Sequence, residues 1–398
     1  MNPNLTKLFE IAQKPERRII GLMSGTSMDG LDVALCRIVG SGVDTNLTLE
    51  KFETVSFSED IKDEIRKIFA KKEIDFQHLC LLNPWIGQLH GKIVLDCLNQ
   101  WGILPSEIDI VASHGQTVFH APQILHRLPK YPNATLQIGD GDHIAVKTGI
   151  ITVSDFRQKH CAAGGEGAPL AVYGDYFIFS KKDENRIMLN MGGIANFTYL
   201  PGTLSSEEVF VTDTGPGNTL LDAFMRKFFN RPYDEGGKVA LSGKVHPELL
   251  KCLKKDPFFS GPFPKTTGPE LFSLDYVRLA QQRSQTTSLA PEDLMATLTQ
   301  FSTETIAEAI QRVCKPDEQY RLYLSGGGMH NPALIASLRE LLPDLPMAST
   351  DTLGISGDAK EAVLFAILAN EALCGQHTDF GSREGVPSVS MGKISFPF

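Results

Sequence analysis

The chain has 398 residues, 42% hydrophobic and 21% charged, the make-up of an ordinary globular protein with enough length for more than one core. Its 38 basic against 47 acidic residues give a formal charge of −9, and no Lys/Arg cluster stands out, which argues against a nucleic-acid partner. No apolar run spans a bilayer, the N-terminus has no apolar signal core, and the seven cysteines are scattered without C-x-x-C spacing; a reducing, cytoplasmic location without disulfides or a zinc ribbon fits.

In chain order, residues 1–16 read as a leader, one short helix ending at Pro15. "RRIIGLMSGTSMDGLDVALCRI" from Arg17 is a strand, a Gly/Ser turn and a second strand, since apolar runs flank a polar, glycine-bearing tip. Ser58 to Gln100 reads mainly as helix, with Ile61, Ile65, Ile68 and Phe69 at helical spacing. Ile108 to His120 predicts a strand ending in a polar loop, and Gly149 to Ala171 a strand running into a Gly-rich loop, with a helix starting near Pro169. A second strand-turn-strand unit covers Arg186 to Leu200. Val209 to Phe229 is strand, tight loop and helix, followed by a Pro/Phe-rich stretch. A long helix over Glu292–Cys314 precedes a strand that passes through Gly326, Gly327 and Gly328 into a helix. The last helix lies within residues 357–375, and the tail beyond Gly375 looks loosely ordered. Alternating strands and helices with two hairpin starts predict an α/β protein of two similar domains with a cleft between them.

Several chemistries are excluded. The sequence has no G-x-x-x-x-G-K-[ST], no G-x-G-x-x-G after a strand, no G-x-S-x-G elbow and no H-E-x-x-H. What remains is three glycine-bearing strand ends. At the first, Gly25, Thr26 and Ser27 present successive N–H groups and two hydroxyls that suit phosphate oxygens, and Asp29 and Asp32 are placed to hold water around Mg²⁺. By itself this tip reads more readily as a plain polar hairpin. At the second, Asp213 in "TDTGPGN" reads as a general base or as a helix cap; Asn218, next to the helix, is the better cap, which favours the base. At the third, Gly326–Gly328 allow a flat ring to lie on bare backbone, or serve packing alone.

Three such turns in this order resemble the actin/hexokinase/Hsp70 superfamily, where two related domains clamp ATP. That superfamily's first phosphate motif begins with Asp, but here Met23 stands at that place. The set "GLMSGTSMDGLD", "SHGQT", "VSDFR", "AAGGEGAPL", "LNMGGIAN", "DTGPGN", "PKTTGPELF", "SGGGMHN" and "GISGDAKEAVLFA" is similar, from Ile19 to Leu373, to the anhydro-N-acetylmuramic acid kinase family. The resemblance implies a two-domain actin-like ATPase (ribonuclease H-like) fold with an interdomain cleft, residues 17–150 and 151–356 forming the domains and 357–375 packing back on the first. It implies an enzyme that opens the 1,6-anhydro ring with water and phosphorylates O6 using ATP and Mg²⁺, in peptidoglycan sugar recycling. Asp213 corresponds to the family's base and Glu361 to its late acidic residue, near metal or phosphates. Gly25, Thr26, Ser27, Met28, Asp29, Gly30, Leu31 and Asp32 correspond to the nucleotide-contacting run. Asn190, Gly192 and Gly193 correspond to the second hairpin, and Gly326, Gly327 and Gly328 to the adenosine side. His114, Gln116, Asp155 and Arg157 are candidates for the sugar, or for ordinary loop hydrogen bonding. The metal ligands stay unassigned. The family also suggests a homodimer. The competing readings are a kinase of another anhydro sugar such as levoglucosan, a nucleotide switch without sugar chemistry, and a glycosidase using paired carboxylates.

Overall fold

The computed structural model describes residues 2–376, 378–381 and 385–398. By compactness they fall into two units, Met1–Phe179 with Gly354–Phe398, and Ser180–Leu353. The boundary therefore lies after Phe179 rather than at residue 150, because the strand and helices beyond 150 complete the first sheet and its cover.

In the first unit, β1 (Glu16–Ser24), β2 (Gly30–Val39) and β3 (Asn46–Ser56) form an antiparallel meander. β4 (Ile110–Ala121) lies parallel to β1, β5 (Ala134–Ile138) folds back on the outer half of β4, and β6 (Thr152–Ser154) runs parallel to β4. The polar loop expected at the end of the Ile108–His120 segment is thus strand, since β5 pairs with it from Gln116 onward and absorbs its backbone groups. In the second unit, β7 (Asn185–Met191), β8 (Ile194–Leu200) and β9 (Phe210–Pro216) repeat the antiparallel meander. β10 (Tyr320–Ser325) is parallel to β7 and β11 (Met347–Ser349) parallel to β10. Both sheets have one plan: a three-strand meander, then parallel strands added beside its first strand. That is the duplicated α/β architecture of the actin-like class.

The inner strands β1, β2, β4, β7 and β10 are buried along most of their length because helices cover them, whereas β3 is not. Ile20, Leu22, Leu31, Val33 and Leu35 are fully buried with Ile86 and Val94 of the Phe76–Trp101 helix. The predicted helical stretch from Ser58 breaks at residues 67–75 into two helices, Glu59–Arg66 and Phe76–Trp101. The Lys360–Cys374 helix packs on β1, β2 and β4. The leader is a helix, Pro3–Gln13, capped by the Asn2 side chain.

The tail departs from expectation. Phe380 and Met391 are buried, and the Phe380 ring lies edge-on to Tyr173 and Tyr176 at 4.8 and 5.4 Å. β12 (Lys393–Ser395) extends the first sheet antiparallel to β6. The apolar residues of the tail supply the reason, since they cover rings of the Ala171–Phe179 helix. Residues 377 and 382–384, also in the expected loose tail, lie outside the described residues.

Gly21 on β1 sits where a Cβ would meet the carbonyl oxygen of Ala362. Gly21→Ala is expected to cost about 1–3 kcal/mol by overpacking, read as a lower urea midpoint; an unchanged midpoint would show that the helix can move aside.

Candidate active site

The turn between β1 and β2 is closed by a bond from Met28 N–H to the Gly25 carbonyl, 3.3 Å, with Met28 in the left-handed region at φ 59°. Thr26, Ser27 and Asp29 are exposed, whereas Met28 leans on the first core. Among the described residues, no backbone acceptor pairs with the N–H groups of Thr26 and Ser27. Two free donors and two exposed hydroxyls on adjacent residues make an anion cradle. Leu31 is fully buried in the core, and a Cβ on Gly30 would run into the Val55 carbonyl, so these two positions serve the sheet.

Asp32 accepts a hydrogen bond from Thr54 Oγ1 at 2.6 Å. Burial raises its carboxyl above the usual range, Thr54 opposes this, and Asp358 adds to it. Glu361, in the first turn of the Lys360–Cys374 helix, is likewise raised by desolvation; the Arg157 guanidinium opposes the shift and Asp32 reinforces it. Asp32, Asp358 and Glu361 thus form an acidic group answered by Arg157. Among the described residues, no three His, Cys, Asp or Glu side chains converge closely enough to hold a metal ion by themselves.

The four sugar candidates are largely engaged with protein. His114 Nδ1 lies 2.9 Å from the Gly115 carbonyl, so Nδ1 carries the proton and Nε2 accepts from Arg157 Nε at 2.8 Å. Burial, reinforced by Arg157, holds this imidazole neutral, well below its ordinary range. Arg157 also donates to the Gly167 carbonyl at 2.6 Å, which ties the Gly-rich loop to β4. Asp155 pairs with Lys393 of β12. Gln116 is fully buried, 2.6 Å from Ser24 Oγ.

In the second unit, the turns after β7 and β9 interlock. Gly217 and Thr219 N–H donate to the Gly193 carbonyl at 2.8 and 3.0 Å, and Asn218 N–H donates to the Gly192 carbonyl at 2.8 Å. The Asn218 side chain makes no cap bond; it donates instead to the Met191 carbonyl at 3.0 Å. The turn after β10 joins the same cluster: Gly326, at φ 80°, would put a Cβ onto Asn190 Oδ1 and the Met191 backbone, and Gly328 approaches Met191 as closely. Gly327 is exposed with nothing within 4 Å of its Cβ position, so it alone of the three leaves bare backbone open.

Asp213 lies within β9, not in a loop after it. A register shift pairs Ala195 with Gly215 and Asn196 with Asp213, so Thr214 is bulged out. Such bulges re-aim neighbouring side chains. The 264–268 segment then runs beside β9: Asp213 N–H donates to the Lys265 carbonyl at 2.9 Å, and Thr267 N–H donates to Asp213 Oδ2 at 2.7 Å. With that oxygen satisfied, Oδ1 is the free basic atom. Burial pushes the carboxyl up to about 6, although the Thr267 bond pulls the other way.

Thr267 was not singled out from the sequence, nor was Lys265. Lys265 Nζ donates to the Phe258 and Phe259 carbonyls at 2.7 and 3.0 Å and sits 4.3 Å from the Phe258 ring centre. Arg312 faces Phe263 at 4.2 Å from the other end of the Pro/Phe-rich stretch. The available signal was a Lys-Thr-Thr run next to Phe-Pro; nothing in spacing ties it to Asp213, 54 residues earlier.

Two sheets of one plan give the fold of the actin-like class, and the relatives make the chain a phosphotransferase of that class. The chain belongs to the anhydro-N-acetylmuramic acid kinase family, whose model matches residues 17–394. A relative of that name from Pseudoalteromonas atlantica is 54% identical over 400 residues, covering all of both chains. One from Pseudoalteromonas translucida is 51% identical over all of both chains, and one from Caldanaerobacter subterraneus is 36% identical over 98% of this chain and all of that one.

The Asp213 carboxyl should titrate near pH 6 in carbon-13 NMR of aspartate-labelled protein, and that resonance should vanish in Asp213→Asn; titration near pH 4 would mean the carboxyl is not desolvated.

Proposed function

We propose that the protein uses ATP and Mg²⁺ to open 1,6-anhydro-N-acetylmuramic acid with water and phosphorylate O6, giving N-acetylmuramic acid 6-phosphate and ADP. Asp213 carries this reading: it is a half-buried carboxylate with one oxygen held by a backbone N–H and the other free, with a pKa just below neutrality. A base of this kind is ionised at pH 7 yet strong enough to take a proton from water. The water then attacks C1, the anhydro bond breaks, and the freed O6 attacks the γ-phosphorus. The family membership favours this sugar over levoglucosan, as every relative named above is called an anhydro-N-acetylmuramic acid kinase.

In the first unit Thr26 and Ser27 are the groups for phosphate, through N–H groups and hydroxyls; in the second unit Asn190, Gly192 and Gly193 are the groups for phosphate and the Gly327 backbone the group for adenosine. The raised carboxyls of Asp32 and Glu361 suit a nearby divalent cation, which would favour their ionised forms. Mg²⁺ keeps several waters, so two carboxylates with water and phosphate oxygens are an adequate set. Asp155 is retained as a sugar contact, since its pair with Lys393 is the only polar engagement its side chain shows among the described residues. A homodimer in the cytoplasm completes the proposal; among the described residues no helix is long and apolar enough to cross a membrane.

ADP release should require the anhydro sugar, and turnover on levoglucosan should be far slower; ATP hydrolysis indifferent to sugar would defeat the proposal in favour of a nucleotide switch. Asp213→Asn should fold and bind ATP but lose about 10²–10⁴-fold in kcat, the usual worth of a general base. Because the base must be ionised, kcat/KM should fall tenfold per unit as pH drops below about 6, whereas an acid limb near pH 4 would point to another group.

A further inference from the structure

We propose that Gln116 is a positioning residue that fixes the peptide plane of the phosphate turn, and that it does not contact the sugar; the inference rests on the nucleotide role of that turn given above. Gln116 reaches the turn through a distortion of β4. Leu22 pairs with Ser113 but Ser24 pairs with Gln116, so His114 and Gly115 together oppose Met23, with Gly115 at φ 80°. The extra residue brings the Gln116 side chain to the end of β1.

Its amide is then fully committed. Nε2 lies 3.0 Å from the Gly25 carbonyl and 3.0 Å from the Thr117 carbonyl, and Oε1 lies 2.6 Å from Ser24 Oγ. Two carbonyl acceptors require two donors, so the amide orientation is forced, and Ser24 must donate to Oε1. No N–H is left for a ligand, and the side chain is 0% exposed.

The consequence follows from peptide planarity. The Gly25 carbonyl is held by Gln116 on one side and by Met28 N–H on the other. In a trans peptide the carbonyl and the next N–H point in opposite directions. Pinning the Gly25 carbonyl inward therefore turns the Thr26 N–H away from it, into the cradle. Without Gln116 only the 3.3 Å bond from Met28 N–H holds this peptide, and a flip, which would replace a donor facing the phosphate by an acceptor, becomes easier. The bulge in β4 thus serves the nucleotide, although Gln116 lies 91 positions from Gly25 of the turn.

The test compares Gln116→Met, which keeps the length but loses the hydrogen bonds, with Gln116→Glu and the wild-type enzyme. Gln116→Met should raise KM for ATP about tenfold, the worth of one to two net hydrogen bonds, while KM for the anhydro sugar stays within about twofold. In Gln116→Glu a carboxylate would face two carbonyl oxygens. Protonation restores one donor, so its KM for ATP should improve as pH is lowered from 8 to 6, relative to wild type measured alongside. A purely structural loss would not reverse with pH. Should Gln116→Met fail to fold, Ser24→Ala, which removes the hydroxyl that lies 2.6 Å from Oε1 and 3.0 Å from the Gly30 carbonyl but leaves both Nε2 bonds in place, should move KM for ATP in the same direction. A rise confined to the sugar KM, or an equal rise in both, overturns the inference. Binding of a fluorescent ATP analogue, measured without sugar, keeps the two questions apart. Wild type that binds the analogue but ignores the sugar defeats the proposed function alone; unchanged analogue affinity in Gln116→Met defeats the role of Gln116 alone.

Discussion

Backbone meets backbone at the turns that matter here, and most of the architecture around them follows from that closeness. In the second unit three separate turns converge on the end of β7. The Gly192 and Gly193 carbonyls take N–H groups from the β9 turn, and Gly326 and Gly328 lie directly on Met191. A side chain at Gly193, Gly326 or Gly328 would collide with its neighbours, so these positions are glycine, and strand ends that are distant in sequence become one platform. The same rule acts in the first unit, where β1 lies so near the Lys360–Cys374 helix that Gly21 has no room for a methyl group. A platform of this kind is pre-organised: its backbone is fixed by bonds within the protein.

Charge is handled by an opposite strategy. Polar groups at the candidate site are desolvated and only partly repaid by partners. Asp213 keeps one backbone donor and leaves the other oxygen free, and its pKa rises to about 6. Asp32 and Glu361 are raised by burial, with Thr54 and Arg157 respectively opposing the shift. His114 goes the other way, held neutral by burial and by Arg157, and so acts as a fixed acceptor joining the Gly-rich loop to β4. Groups with incomplete compensation are the ones available for chemistry, and fully compensated ones such as Gln116 serve geometry.

The sequence by itself was enough for the α/β class, the two hairpin starts and the three glycine turns. These are local signals: an apolar run ends, small residues follow, and the periodicity changes. It also placed the leader helix and the late helix over Lys360–Cys374 within a few residues. What only the tertiary structure decided was partnership. The tail after Gly375 has little local pattern, yet Phe380 and Met391 are buried and β12 joins the first sheet, because burial depends on what lies opposite and not on neighbours in the chain. Likewise "SHGQT" looks like a polar loop until β5 pairs with it, and Thr267 has no visible link to Asp213 until the 264–268 segment lies beside β9. Gln116, a polar residue in a polar motif, reads as a ligand contact. Its hydrogen-bond capacity turns out to be spent within the fold, and that count can be made only once every acceptor around it has been placed.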